Sequence, residues 1–455
     1  MTDLTATPGL GPSKGPGRRE SLLVPNARMQ KRNRFETIFR SLGIFAIGAS
    51  LLILALMLFT IFRDGVSSFR QAKITFPVAL EASVLDPTGA GTREEIARQT
   101  TVAYGRLIGE SFERALTDAG IRIDDIPQKD IVGMISKAAP GQLRARVLGD
   151  TALVGQTIEF HAMVGGRIDG YLKGRVTRQT AERDSNVTLA QLDLTDRLVE
   201  AGLLRLEWNP DFLTNPDASD QRPEAAGLGV AILGSAYMMM LVLVMCVPVG
   251  VAASIYLEEF APKNRITDVI EVNIANLAAV PSIVYGILGL AVFINFMAFP
   301  QSSPMVGALV LSLMTLPTII IATRSSIRAV PPSIRDAALG VGASKMQTVF
   351  HHVLPLAMPG ILTGTILGLA SALGETAPLL LIGMVAFVSN YPASPVDGGF
   401  LDPASALPVQ VYSWASRSDP AFIERSNGAI IVLLVFLLVM NLTAIFLRRR
   451  FERRW

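Results

Sequence analysis

VNIANLAAVPSIVYGILGLAVFINFMAFPQSSPMVGALVLSLMTLPTIIIAT, the stretch from Val272 to Thr323, contains no Asp, Glu, Lys or Arg in 52 residues. A hydrocarbon core about 30 Å thick is crossed by roughly 20 helical residues rising about 1.5 Å each. A run this long therefore predicts two spans, folded back at Phe299, Pro300, Gln301, Ser302, Ser303 and Pro304.

Working outward, four further runs qualify. Ser41–Phe62, bracketed by Arg40 and Arg63, starts too late and runs too long for an ordinary signal-peptide core, so it reads as an uncleaved anchor. Val230–Leu257 is the second span, and its Pro248 and Gly250 predict a kink. Between Met346 and Val396 the only acidic or strongly basic side chain is Glu375, placing the fifth helix over about Pro359–Met384. Ser426–Leu447, closed by Arg448, Arg449 and Arg450, is the sixth.

Half of the 455 residues are hydrophobic and 17% are charged, and the charges fall in blocks between the spans. The fold class expected is an all-α membrane bundle of six transmembrane helices with an inserted α+β extracytoplasmic domain. The net charge of +3 comes from basic residues at the termini and beside apolar runs. These read as topology determinants facing membrane lipid, and no nucleic acid partner is expected. Cys246 is the single cysteine, so there is no disulfide framework. No metal site is predicted: His161 stands alone, and His351 and His352 lack carboxylate or cysteine partners at ligand spacing. No Gly-x-x-x-x-Gly-Lys-Ser/Thr loop occurs, so no ATP or Mg is expected on this chain, and any ATP hydrolysis would need a separate ATPase.

Lys and Arg are retained on the cytoplasmic side during insertion. The first 40 residues carry eight of them against three acids, and the last eight carry five Arg against Glu452, so both termini are expected in the cytoplasm. Arg324, Arg328, Arg335 and Lys345 against Asp336 place the loop between spans four and five inside; Asp397, Asp402, Asp419 and Glu424 against Arg417 and Arg425 place the next loop outside. The domains expected are a disordered basic cytoplasmic tail (1–40), the first span (41–62), a periplasmic α+β domain (63–224) and a core holding spans two to six (225–455). Within 63–224, Ile74–Leu80 and Leu203–Trp208 read as extended, and Arg93–Ala119 and Val187–Ala201 as helical.

In the loop after span four, Pro331 and Pro332 precede Ser333, Ile334, Arg335 and Asp336. Ser followed three residues on by an acid is a helix-capping pattern, so a first helix is expected from Ile334 through Ala337 and Ala338. Gly340 and Gly342 then allow a sharp turn. Ser344 with Gln347 repeats the capping pattern, and a second short helix is expected to run to His352 before Pro355. In span five, Gly360, Gly364 and Gly368 share one face, which predicts close packing on a neighbour. Glu375 is costly in a membrane and is expected to face the bundle interior or a wet cavity, with Pro378 adding a kink.

Asp336, Ala337, Ala338, Gly342, Leu354 and Pro355 have the spacing of the EAA loop and resemble that of permease subunits of ATP-binding-cassette importers of type I fold. Asp336 stands where the family has Glu, and His352 where it has an apolar residue. The resemblance implies a coupling helix seated in an ATPase subunit. Ala372 to Pro378, with Gly374, Glu375 and Thr376, is similar to the GETAP segment of phosphate-importer permeases, and Asn276 to Gly286 to another segment of that family. Leu407 to Trp414 is similar to the PstA type. Where many relatives have an Arg shortly before the GET segment, this chain has Ser371. The matching segments lie between Ala225 and Trp455. The resemblance implies a phosphate importer of the bacterial inner membrane. Its implied partners are a second homologous permease subunit, an ATPase subunit dimer and a periplasmic phosphate-binding protein. Glu375, Thr376 and Gly374 would lie at the transport path or its gate. A permease for sulfate or molybdate, or a non-transporting membrane sensor, are the alternatives.

Overall fold

The computed structural model describes residues 27–451 except 90, 123–125, 185, 385 and 386. Helix α1 runs Ala27–Gly65. Residues 27–40, expected as disordered tail, are thus helical, while the remainder of that tail lies outside the described residues. Gln30, Lys31, Arg32 and their neighbours are good helix formers. Beside a span that is already helical, each added residue gains a backbone hydrogen bond without a new nucleation cost. The chain divides into two compact units at Thr60.

In the second unit, strands β1 (Arg70–Ala79), β2 (Thr157–Met163) and β3 (Leu204–Trp208) form an antiparallel sheet in the order β2-β1-β3, with Thr75 opposite His161 and Ile74 opposite Leu204. Period-two alternation turns Ala72, Ile74, Phe76 and Val78 inward. There they meet Leu107, Ile108 and Phe112 of α2 (Thr101–Asp118) and Leu192, Leu194 and Leu198 of α3 (Leu189–Glu200). Burying each such side chain contributes about 1.5–3 kcal/mol, so this domain has a core of its own. The helix expected over Arg93–Ala119 is broken: Arg93–Arg98 ends at an extended Gln99 before α2 begins. Consecutive β-branched Thr100, Thr101 and Val102 disfavour continuing it. Strand β2 was not expected, although Ile158, Phe160 and Ala162 alternate inward along it.

The membrane core starts with α4 (Gly229–Ile255), which holds Pro248 and ends in a π turn, Tyr256–Phe260. Span three is not the continuous helix expected from Val272. It is α5 (Arg265–Ala278) followed by α6 (Ser282–Leu288) with its π extension to Phe296, the pair bent by 101°. Pro281 supplies no amide donor and drives Val280 away from helical geometry, and Asn264 caps α5 seven residues earlier than the apolar run suggests. Helix α7 (Pro304–Arg328) is span four. It packs along α4: a Cβ on Gly250 would come within 2.8 Å of Ile319, and Ser254 Oγ donates to the Ile320 carbonyl at 3.1 Å.

Helix α8 (Pro332–Gly340) forms the loop, α9 (Leu354–Gly374) and α10 (Ala377–Leu381) follow, and α11 (Leu407–Ala415) precedes α12 (Pro420–Phe451), the last span. Among the described residues five helices are long and apolar enough to cross a bilayer, and six if the bent pair counts as one span.

The sheet domain is joined to the start of α12 through buried charges. Lys173 Nζ lies 2.8 Å from Asp169 and 3.1 Å from Glu424, and Arg175 pairs with the same two carboxylates. Asp169 also accepts the Ala72 amide at 3.0 Å. Arg425, 4% exposed, donates to Gln71 Oε1 at 3.0 Å and to the carbonyls of Ala226 and Glu224. Ser136 Oγ donates to the Glu224 carboxyl, and burial raises the pKa of that group above the usual glutamate range.

Candidate coupling surface and transport path

Helix α8 enters at Pro332, with Pro331 in the cap position and no side-chain cap. Ser333 therefore does not cap as expected: proline at the first helical position already fixes φ and has no amide needing a partner. Asp336 and Ala337 are exposed and Ala338 is 6% exposed. The turn closes through Val341 N to Ala337 O (3.1 Å), Gly342 N to Leu339 O (3.0 Å) and Ala343 N to Ala338 O (3.1 Å). Gly342 sits at φ +90°, a region that costs a residue with a Cβ; Gly340 stays helical and supplies no such bend.

Ser344 and Gln347 cap reciprocally, Gln347 N to Ser344 Oγ at 3.2 Å and Ser344 N to Gln347 Oε1 at 2.9 Å. The helix that follows does not end near His352. It runs from Lys345 through a π turn, Val349–Val353, directly into α9, so Leu354 and Pro355 lie in the first turn of α9. The π turn shifts the hydrogen-bond register just ahead of Pro355, which has no amide to donate.

Coupling surface and span ends are tied by an ionic network. Arg335 donates to Glu259 at 2.7 and 3.0 Å and to the Val330 and Ile327 carbonyls at 2.7 and 2.9 Å. Arg324 bridges Glu258 (3.4 Å) and Glu271 (2.5 Å), and Arg328 adds a 2.8 Å contact to Glu258. The network thus links α8, the end of α4, the end of α7 and the half-span α5. Around the exposed Asp336, Leu339, Val341, Met346 and Phe350 are also exposed, 86% in the case of Val341. Sequence reading had counted these arginines as topology signals only; Glu258 and Glu259 directly after span two were the available hint of partners.

In span five, Cβ atoms on Gly360, Gly364 and Gly368 would lie 2.4 Å from Ser326 Oγ, 2.3 Å from the Ala322 methyl and 3.2 Å from the Thr315 methyl. The three glycines hold α9 against α7. The helix expected to reach Met384 stops at Gly374: Glu375 is extended (φ −77°, ψ 122°) and α10 restarts at Ala377. Pro378 does not kink it, because it sits in the first turn of the new helix, where no amide is required. A Cβ on Gly286 would come within 2.7 Å of Pro378 Cα, so α6 and α10, the two helices that restart after interruptions, touch one another. The Glu375 carboxylate is half-buried and has no hydrogen-bond or ion-pair partner among the described residues, and the face Leu367, Ser371, Gly374 beside it is open. The turn between spans three and four is pinned here too, Ser302 Oγ donating to the Gly383 carbonyl at 2.5 Å.

Residues 247–455 match the family described as binding-protein-dependent transport system inner membrane component, and residues 26–182 match a domain of unknown function, DUF3333. A probable ABC transporter permease protein of Bacillus subtilis, YqgI, is 32% identical over 48% of this chain and 78% of its own. The phosphate transport system permease protein PstA 1 of Mycobacterium tuberculosis is 31% identical over 50% and 73%, and PstA of Xylella fastidiosa 33% identical over 49% and 74%. A solved structure of the MetNI methionine ABC transporter covers 50% of this chain at 14% identity and a TM-score of 0.37, too distant to weigh in the assignment. Shared sequence over most of those permeases, with the family match over the half that carries the Asp336 loop and both helix breaks, places this chain in the binding-protein-dependent ABC transporter permease family, where it is similar to the PstA type.

Proposed function

We propose that this subunit forms half of the path of an ATP-driven phosphate importer. The observation that carries the reading is the pair of interrupted spans meeting at Gly286 and Pro378, in a chain whose relatives include phosphate permeases. Non-helical backbone is tolerated at membrane depth only where it is buried in protein or lines a water-filled cavity, and transporters place substrate near such breaks. Glu375, with Gly374 and Thr376, gates this path rather than binding the anion, because a carboxylate repels phosphate.

A separate ATPase dimer carrying ATP and Mg seats Asp336 and its apolar neighbours. A second homologous permease completes the bundle, and a periplasmic phosphate-binding protein delivers substrate. Both termini lie in the cytoplasm of the bacterial cell and residues 63–224 in the periplasm. When the ATPase closes, α8 moves, and Arg335 and Arg324 carry that motion to α4 and the half-span α5.

Uptake of radiolabelled phosphate in cells lacking the gene tests this. The intact chain is expected to restore uptake, Asp336→Arg to abolish it while ATP hydrolysis persists, and Glu375→Gln to alter its rate. Uptake that is unchanged by deletion would sink the phosphate reading and send the assay to sulfate and molybdate.

A further inference from the structure

Trp208, at the end of edge strand β3, is 63% exposed, although nearby aromatic side chains such as Phe212 and Trp414 are fully buried. It stacks on Phe69 with ring centroids 5.8 Å apart and planes within 17°. Phe69 follows the end of α1 by four residues, and that end touches α12: a Cβ on Gly65 would lie 2.7 Å from the Asn427 carbonyl oxygen. Asn427 is the second residue of the uncharged stretch 426–447 of α12. The last residues of α1 thus meet the start of α12 here, and Phe69, four residues on, carries Trp208 beside that meeting point. Val66 (51%), Phe62 (43%) and Leu206 (40%) continue the exposed apolar surface. Arg70 is directly opposite Trp208 in the β1–β3 register, exposed, and without an ion-pair partner among the described residues.

From this we infer that the Trp208 edge of the outer domain is a membrane-interface contact, occupied by phospholipid headgroups of the outer leaflet. The composition fits that occupant. Indole combines a large apolar area with one N–H donor and settles at headgroup depth. A guanidinium beside it matches phosphate geometry. The contact also covers the unpaired edge of β3, which in water would invite pairing with another strand. Continuity with the last residues of α1 and the start of α12, helices long and apolar enough to cross a bilayer, selects lipid over a protein partner.

The test uses the full chain in phospholipid nanodiscs with Trp455→Phe, leaving Trp208 and the buried Trp414 as emitters. A nitroxide attached near the lipid headgroup is expected to quench the emission strongly, aqueous iodide weakly, and Trp208→Phe to remove most of the lipid-quenchable signal. Unchanged folding of that variant is checked by its thermal transition. Equal lipid quenching with and without Trp208 would overturn the inference. So would quenching of Trp208 by iodide alone, as for a free surface, or by neither agent, as for a residue covered by protein.

Discussion

Two charge networks of the second unit, one at the junction of the sheet domain with α12 and one beside α8, differ in exposure. At the junction with the sheet domain Lys173, Asp169 and Glu424 have side chains only 4–5% exposed. Beside α8, Arg324 is 12% exposed, Glu271 35% and Arg328 59%. Removing one member of a buried set leaves an uncompensated charge and typically costs about 3–5 kcal/mol, whereas an exposed pair contributes about 0–1 kcal/mol. The charges at the sheet-domain junction therefore fix that domain to the start of α12. Among the described charges at the α8 end only the exposed Arg328 can part at small cost, while Arg324, 12% exposed, is held by two carboxylates.

Glu424→Gln is the most severe way to break this comparison. It leaves Lys173 and Arg175 sharing Asp169, and a loss of about 3 kcal/mol is expected, read as a lower thermal transition of the purified chain. An unaltered transition would mean that the Glu424 cluster is no more binding than the one beside α8.

A smaller effect is expected from pH. Burial raises the Glu224 pKa, against the hydrogen bond from Ser136 and the positive charge of Arg425, and with Asp169 pushing in the same direction as burial. A carboxyl raised in the folded state contributes stability that is fully present below its unfolded pKa and is lost as pH rises through the folded value. Limited proteolysis of the linker around Glu224 should thus accelerate from acid toward neutral pH, and Glu224→Gln should flatten that profile. An identical profile in both proteins would remove Glu224 as the cause.

Arg324→Gln should cost more function than Arg328→Gln, the exposed member whose loss changes stability least, because among the described residues only Arg324 pairs with Glu271 of the half-span. The ratio of ATP hydrolysed to phosphate taken up should rise in the first variant and stay near the parent value in the second. Equal ratios would show that the network does not transmit motion.

Much of the fold was legible. The spans follow from uncharged length, and β1, β3 and α3 fall where alternation and periodicity put them. The errors cluster at prolines. Pro281 breaks a run that hydropathy reads as continuous, Pro355 fails to end one because a π turn accommodates it, and Pro378 starts a helix instead of bending one. Hydropathy measures whether a segment belongs in lipid and is blind to which carbonyl lacks an amide donor. At the candidate site, the spacing of Gly360, Gly364 and Gly368 pointed to a packing face, but not to Ser326 and Ala322 as its partners.

By itself the sequence determined what each segment is locally: which stretches are apolar enough to cross, where a cap or a positive φ is required, and which loops carry charge. Tertiary structure alone decided which charges meet. Lys173 and Glu424 are 251 residues apart, and Arg324 and Glu271 are 53 apart. Adjacent Glu424 and Arg425 looked like ordinary loop charges, yet both are buried. The physical reason is one of range. Hydrophobicity and backbone preference act within a turn or two of the chain, whereas a buried charge is tolerated only when folding brings its partner to it from elsewhere.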